Sequence, residues 1–345
     1  MITEEIINWK KPSGWIEIQT IDTHTAGEPL RIVISGFPSL KGKTVLDKSS
    51  YLKENHDDLR SLILAEPRGH RDMYGALLVP PNNKNSDLGV IFMHNNGYST
   101  GCGHAVIAIA KVIFELKKSK SKHFKQSINM DVPSGRIRAD ALLKDNVLIG
   151  ARFKNVPSYV CILDGVINID GLGRVKYDVA YGGAYYVVVK SEDVGLKCET
   201  NYQNHLINVG MKIKKAIQDD IDLKCPVKNK NYYLYGTIFT APPNIKINHS
   251  RNVCVFADGQ IDRSPTGTGV SARAAILYER GKIGLNEKIS IESIIGSTFE
   301  VSISETNMEN FHNTIIPNVS GDAFIISRNS YFLDPKDPYA TGFLL

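Results

Sequence analysis

Most of the chain alternates short apolar stretches with turns rich in Gly, Asn and Pro. The apolar stretches are enriched in β-branched and aromatic residues, which is the pattern of β-strands. Four of them stand out: WIEIQTI at 15–21, GALLV at 75–79, VIFM at 90–93 and YYVVV at 185–189. The sequence therefore predicts a fold built mainly of strands.

Three segments break this pattern because their apolar residues recur at helical spacing. Residues 104–118 and 270–280 are rich in alanine, and each follows a glycine-rich turn. Residues 201–220 carry apolar side chains every three or four positions, as an amphipathic surface helix does. We predict three helices here, of which the two alanine-rich ones begin at glycine turns.

The two glycine-led segments resemble each other. TGCGHAVIAIA at 100–110 aligns with SPTGTGVSARAA at 264–275, which pairs Cys102 with Thr266 at an offset of 164 residues. That offset is nearly half of the chain. Such internal similarity predicts two related domains, each a set of antiparallel strands around one helix.

Length and charge limit the class of protein. A chain of 345 residues suffices for two domains, since domains typically span about 100–200 residues. The 41 Lys and Arg against 36 Asp and Glu give a net charge of +5, and the densest basic cluster, at 117–122, is typical of a solvated helix end. No basic face interleaved with aromatic residues is visible, so we expect no nucleic-acid partner.

Targeting signals are not visible either. The first 18 residues contain two early glutamates and lack the apolar core of a signal peptide. No apolar run approaches the roughly 18–20 residues that a membrane span requires. We therefore expect a cytoplasmic protein without a membrane partner.

The five cysteines are an odd number without any CxxC pair, which argues against a disulfide framework or a zinc site. Cys102 differs from the others because glycines flank it and a predicted helix follows. The helix dipole and the unpaired N–H groups favour a thiolate there, so we expect a lowered pKa. The other four are expected to pack as small apolar residues: Cys161, Cys198, Cys225 and Cys254.

Two other uses of Cys102 and His104 are less favoured. A Cys-x-His pair supplies two ligands of a zinc site that needs at least three. In a Cys–His hydrolase the imidazole must reach the thiol, whereas we expect side chains two residues apart at a helix start to point in different directions. A thiolate that removes a proton as a base fits the local sequence better.

The second glycine-led loop, DRSPTGTG at 262–269, also opens a helix whose first N–H groups can bind an anion. It lacks the Gly-Lys-Ser/Thr of a P-loop and the strand-linked G-x-G-x-x-G of a dinucleotide site. If both helix starts face one cleft, they would hold a small carboxylate, and Asp262 would suit a cationic amine. A turn or cap role is the alternative for Asp262.

Seven motifs follow one another along the chain, within a resemblance that runs from about residue 15 to residue 343: DTHTAGEP (22–29), RGHRDMYGALL (68–78), HNNGYSTGCGHAVIA (94–108), YGGAYY (181–186), FADGQIDRSPTGTGVSAR (256–273), IIGSTF (294–299) and DPYATGFLL (337–345). Together they resemble the proline racemase family, and within it the trans-3-hydroxy-L-proline dehydratases. The resemblance implies an α/β fold like that of diaminopimelate epimerase. Such a fold has two similar domains, each an antiparallel strand half-barrel around a central helix, with the active site in the cleft between them.

These implications give provisional domain limits. The N-terminal domain, which carries Cys102, is expected at 1–185 and is joined by the chain end at about 325–345. The second domain, which carries Asp262 and Thr266, is expected at 186–324.

The resemblance also implies roles around a bound imino acid. Backbone N–H groups hold its carboxylate and belong to two pairs of residues: Gly103 with His104, and Gly267 with Thr268. Asp262 receives the ring ammonium, together with His104. Tyr74 and Phe256 form aromatic walls against the pyrrolidine ring, although either ring would also suit an ordinary core.

Racemases and epimerases of this family carry two cysteines, one on each side of the substrate. Here the first is Cys102, but the second position holds Thr266, whose hydroxyl is far too weak as an acid and base to replace a thiol. Removal of the α-hydrogen by Cys102 alone is productive when a hydroxyl on the next carbon leaves. The resemblance thus implies dehydration of trans-3-hydroxy-L-proline to pyrroline-2-carboxylate, in which Thr266 contacts the departing hydroxyl or an ordered water, or only fills space.

Neither a cofactor nor a metal is implied, and a homodimer would suit the family. Gly101 stands where the family commonly has Met, and Asn96 stands where the dehydratases often have an acidic residue, which affects the expected rate and substrate fit. The alternatives are a 4-hydroxyproline epimerase or proline racemase with a second base other than cysteine, and a non-catalytic imino-acid binding protein.

Overall fold

The computed structural model describes residues 2–121, 123–220, 233–309 and 312–345. The strands are β1 (Ile16–Thr25), β2 (Glu28–Ser35), β3 (Tyr74–Val79), β4 (Leu88–His94), β5 (Gly97–Ser99), β6 (Ser127–Val132), β7 (Gly135–Lys144), β8 (Val147–Lys154), β9 (Ser158–Ile169), β10 (Gly173–Tyr181), β11 (Tyr185–Lys190), β12 (Leu234–Ala241), β13 (Ser250–Phe256), β14 (Gln260–Ile261), β15 (Lys288–Glu292), β16 (Thr298–Glu309), β17 (His312–Gly321) and β18 (Ala323–Leu333). The α-helices are α1 (Ile2–Ile7), α2 (Val45–Asn55), α3 (Asp57–Leu64), α4 (Gly103–Lys120), α5 (Gln203–Asp220) and α6 (Gly267–Glu279).

The elements predicted from the apolar pattern are confirmed. The four predicted strands correspond to β1, β3, β4 and β11, and the three predicted helices correspond to α4, α5 and α6. Helix α5 begins two residues later than predicted, because a 3₁₀ turn at Thr200–Tyr202 precedes it.

Strand pairing repeats along the chain. In the first half β1 is antiparallel to β2, β2 parallel to β3, β3 antiparallel to β4 and β4 parallel to β6. In the second half β10 is antiparallel to β11, β11 parallel to β12, β12 antiparallel to β13 and β13 parallel to β15. Helix α4 lies between β5 and β6, and α6 lies between β14 and β15. This repeat confirms a mixed, largely antiparallel α/β fold with two similar halves.

Further pairings, some between strands distant in sequence and some between consecutive strands, join the two sets and close them. Strand β17 pairs with β8, β9 and β16, and β18 pairs with β1. Strands β9 and β10 pair with each other, and β10 pairs with β11. The division proposed between residues 185 and 186 falls at the start of β11 and stays a prediction.

The two central helices are buried. Residues 103–110 of α4 and 267–272 of α6 are all inaccessible, and side chains of both helices belong to one apolar core. A helix that is apolar on all sides needs to be surrounded, and its alanines let strands approach closely. No helix in the described part of the chain is both long and apolar enough to cross a membrane.

Candidate active site

The first turns of α4 and α6 meet at two glycines. A Cβ added to Gly103 would lie 2.5 Å from the Cα of Gly267, and one added to Gly267 would lie 2.6 Å from the Cα of Gly103. Only residues without a side chain permit this approach. Because the first N–H groups of a helix lack partners within it, the two starts form one position suited to an anion.

A small cavity lies beside this contact. Its wall contains the nine residues that were assigned to the site from the sequence: Tyr74, Cys102, Gly103, His104, Phe256, Asp262, Thr266, Gly267 and Thr268. Three more residues complete the wall: Gly101, Tyr186 and Tyr235. Residues from both halves of the chain therefore converge on one place, although their individual roles stay proposals.

Cys102 and His104 are in contact within this cavity. Cys102 Sγ lies 3.2 Å from His104 Nδ1, and both residues are buried. The prediction that these side chains point in different directions is wrong. It assumed helical spacing, whereas Cys102 is the N-cap residue in an extended conformation with φ −152° and ψ 106°, so its side chain folds back over the first turn.

Burial dominates the electrostatics of this pair. It raises the pKa of the Cys102 thiol well above the ordinary value, although the nearby backbone N–H of Ala105 lowers that pKa in part. It also lowers the pKa of His104 to about 3. The expected lowering of the Cys102 pKa is therefore wrong for this structure, because desolvation of the thiolate outweighs the helix N-terminus. Thiol and imidazole are both neutral here.

Asp262 and Thr266 contact each other and also line the cavity. Thr266 Oγ1 donates to Asp262 Oδ2 at 2.8 Å, and the Ser264 N–H donates to Asp262 Oδ1 at 2.7 Å. Burial raises the pKa of Asp262. Asp262 thus fixes the turn before α6, as its alternative role predicted, and it also lines the cavity.

Thr266 has a strained backbone. As the N-cap residue of α6 it adopts φ 69° and ψ 100°, a region that β-branched residues rarely enter, and its side chain does not cap the helix. The rest of the loop holds it in place, which leaves its hydroxyl directed at Asp262.

Aromatic rings form the other walls. The Tyr74 ring meets His104 edge to face with centroids 4.8 Å apart, and it lies 6.4 Å from Phe256. The Tyr235 ring stacks on Phe256 at 5.5 Å. The Tyr186 hydroxyl forms a 2.6 Å hydrogen bond with Thr268 Oγ1. Four aromatic rings therefore line the cavity, and three of them carry phenol hydroxyls.

The hairpin of β1 and β2, which carries DTHTAGEP, supports both halves of the site. Thr25 Oγ1 donates to the His104 carbonyl at 2.9 Å, and the Arg263 N–H donates to Glu28 Oε2 at 2.8 Å. His24 Nδ1 accepts from the Gly27 N–H at 3.3 Å and so stabilises the turn of this hairpin. One hairpin thus positions the start of α4 and the loop before α6.

Sequence reasoning missed Tyr186 and Tyr235. Tyr186 ends the YGGAYY motif, which was a usable signal. Tyr235 lies in β12, where nothing in the sequence sets it apart from other strand tyrosines.

None of the other three described cysteines belongs to the wall of the cavity, although Cys254 lies directly behind it: its carbonyl accepts from the Asp262 N–H at 3.0 Å, and its thiol contacts Thr266. Cys198 and Cys254 are buried and Cys161 is half-buried, and no disulfide occurs among the described residues. Cys225, which was also expected to pack as an apolar residue, lies outside the described residues.

Comparison with known proteins identifies one family and named relatives within it. The profile of the family described as proline racemase matches residues 20–344. The chain is 43% identical over 332 residues to the trans-3-hydroxy-L-proline dehydratase of Colwellia psychrerythraea, covering 96% of this chain and 94% of that protein. It is 40% identical over 326 residues to the enzyme of the same name from Bacillus cereus, covering 94% and 97%.

A solved structure shows the same architecture. The hydroxyproline epimerase from Agrobacterium vitis with bound trans-4-hydroxy-L-proline superposes with a TM-score of 0.85 at 28% identity, covering 95% of this chain and 96% of that chain.

Proposed function

Because the chain belongs to the proline racemase family, we propose that it is a hydro-lyase that dehydrates trans-3-hydroxy-L-proline to pyrroline-2-carboxylate. Relatives of that name match nearly the whole chain. The observation that carries the proposal within the site is the pairing of one thiol, Cys102, with a hydroxyl, Thr266, across the meeting point of α4 and α6.

Substrate binding follows from the charges on the cavity wall. The carboxylate lies at the two helix starts, where the N–H groups of Gly103, His104, Gly267 and Thr268 point. The ring ammonium lies against Asp262, whose raised pKa reflects a buried carboxyl without a full counter-charge. A cation placed there would favour the ionised carboxylate.

The reaction uses a single base. Cys102, as the thiolate, takes the α-hydrogen, and charge that develops on the substrate carboxylate is stabilised by the helix N–H groups. The C3–O bond then breaks, and the resulting enamine tautomerises to the cyclic imine. No cofactor is required for these steps.

Thr266 is unsuited to act as a second base. An aliphatic hydroxyl is far less acidic than a thiol, and this one already donates to Asp262 at 2.8 Å. Inversion at the α-carbon needs proton delivery from that side, so the site favours elimination over racemisation.

The test is product formation. The purified protein is incubated with trans-3-hydroxy-L-proline, and the imine is trapped with o-aminobenzaldehyde. We expect imine from the wild type, and a loss of at least roughly 1,000-fold in Cys102→Ser, because serine is not a base at neutral pH. Cys161→Ser is the matched control, since Cys161 is absent from the cavity wall, and should retain activity.

The rival functions give different results. If no imine forms and the optical rotation of 4-hydroxyproline or proline changes instead, the protein is an epimerase or a racemase. If neither reaction occurs and L-proline still protects the protein against melting, it is an imino-acid binding protein. The homodimer and the cytoplasmic location stay predictions, the first of which gel filtration with light scattering will test.

A further inference from the structure

Elimination of water needs a proton donor as well as a base. Hydroxide is a poor leaving group, so a group in the site has to protonate the departing oxygen or hydrogen-bond to it. The identification of this proton donor rests on the proposed dehydration.

The stereochemistry of the substrate restricts where this donor lies. In the trans isomer the 3-hydroxyl and the carboxylate occupy opposite faces of the ring. The α-hydrogen is therefore on the same face as the 3-hydroxyl. Because Cys102 removes that hydrogen, the hydroxyl departs on the Cys102 side, and a donor on the Thr266 side would face the wrong side of the ring.

Most hydroxyl protons around the cavity are already used. Thr266 donates its proton to Asp262 Oδ2. Ser99 Oγ donates to the Gly101 carbonyl at 3.1 Å, so in its 2.7 Å bond with Ser99 the Tyr74 hydroxyl has to be the donor. Tyr186 is bonded to Thr268, on the α6 side.

Tyr235 is different. Its hydroxyl is buried beside the cavity and makes no hydrogen bond of good geometry among the described residues, although the hydroxyls of Tyr74 and Ser99 lie close to it. The ring is fixed by stacking on Phe256 at 5.5 Å and by an edge contact with Tyr186 at 6.0 Å. We propose that the Tyr235 hydroxyl is the acid that protonates the departing 3-hydroxyl.

Electrostatics fit this role. Burial raises the pKa of Tyr235 well above its ordinary value; the Tyr74 hydroxyl lowers that pKa in part, and a negative charge on Cys102 raises it. A raised pKa keeps the phenol protonated at neutral pH, as an acid needs to be. The phenol is still far more acidic than water, so transfer to a departing hydroxide is favourable.

The step balances without another reactant. The thiolate of Cys102 takes the α-proton, and the C–H electron pair becomes the C2–C3 double bond. The C3–O pair leaves with oxygen, which takes the phenolic proton and departs as water. The remaining Cys102 thiol then returns a proton to the Tyr235 phenolate, since a thiol is ordinarily the stronger acid of the two.

A substrate whose leaving group needs no proton separates proton donation by Tyr235 from its other contributions. Tyr235→Phe is assayed with trans-3-hydroxy-L-proline and with trans-3-fluoro-L-proline, which loses fluoride and gives the same imine. We expect kcat for the hydroxy substrate to fall by roughly 100-fold, while kcat for the fluoro substrate stays within about threefold. Tyr233→Phe is the matched control, because Tyr233 is exposed and hydrogen-bonds Lys214 outside the cavity.

The variant should fold. Removing a buried hydroxyl that makes no hydrogen bond of good geometry is neutral or stabilising, so the melting temperature should not fall. Two outcomes overturn the proposal: an unchanged kcat for the hydroxy substrate, which would assign proton return to Cys102 itself, or an equal loss with both substrates, which would assign Tyr235 a packing role. Failure of the wild type to form imine from the hydroxy substrate would instead refute the proposed function.

Discussion

The contact between the two helix starts makes a sharp prediction at Gly103. In Gly103→Ala the new methyl group would lie 2.5 Å from the Cα of Gly267 and 3.1 Å from Cζ of Phe153. Carbon atoms approach favourably only to about 3.5 Å. The starts of α4 and α6 therefore have to move apart by about 1 Å, because the nearest atom is backbone and no side chain can swing away.

The expected magnitude follows from this displacement. The N–H groups proposed to bind the carboxylate belong to both helices, so separating the helix starts misplaces half of these donors relative to the other half. A misplacement of about 1 Å typically costs roughly 100-fold in rate. Overpacking of this kind also destabilises a protein by about 1–3 kcal/mol.

The assay is steady-state imine formation from trans-3-hydroxy-L-proline, with thermal unfolding measured in parallel. Gly284→Ala is the matched control, because a Cβ there would meet only Glu287 Oε2 at 3.6 Å, and it should leave kcat/KM and stability unchanged. If Gly103→Ala stays within about threefold of the wild type in kcat/KM, the carboxylate is not held between the helix starts.

Two further predictions concern the pair of positions on either side of the substrate. Thr266→Cys places a second thiol opposite Cys102, so this variant should epimerise trans-4-hydroxy-L-proline at a rate that polarimetry can measure. If the variant gains no epimerase activity, position 266 is not on the opposite face of the substrate. Because burial raises the pKa of Cys102 and the thiolate is the active form, kcat/KM should keep rising with pH beyond about 8.5, the ordinary thiol value, and a plateau below that pH would contradict the assignment.

The sequence predicted the fold well because its signals are local and repeated. Short apolar runs rich in β-branched and aromatic residues mark β1, β3, β4 and β11 as strands, and the alanine-rich segments of α4 and α6 fit a surrounded helix. The similarity between the two glycine-led helix starts anticipated the repeated strand pairing. Strand order and the pairings of β17 with β8 and β9 depend on contacts distant in sequence, which no local pattern encodes.

The sequence predicted residues that line one cavity, but it did not predict the contacts among them. Glycines and the cysteine at a helix start mark positions where backbone approaches a ligand, and these lie together in the structure. The Cys102–His104 contact was missed because it depends on the extended backbone of one N-cap residue. Tyr235 was missed because its importance lies in a buried hydroxyl without a hydrogen bond of good geometry, which is a property of the packed structure.

The Cys102 pKa shows how competing magnitudes decide such cases. A helix N-terminus stabilises an anion by typically 0.3–1 kcal/mol, whereas full burial shifts a pKa by up to 3–5 units at about 1.4 kcal/mol each. The stabilising effect of the helix N-terminus can be predicted from the sequence, because the sequence shows Gly103 and the helix that follows it. The effect of burial depends on the strands that surround α4 and on the rings of Tyr74 and His104 that cover the sulfur. The direction of the shift is therefore set by tertiary packing, and the helix start only moderates it.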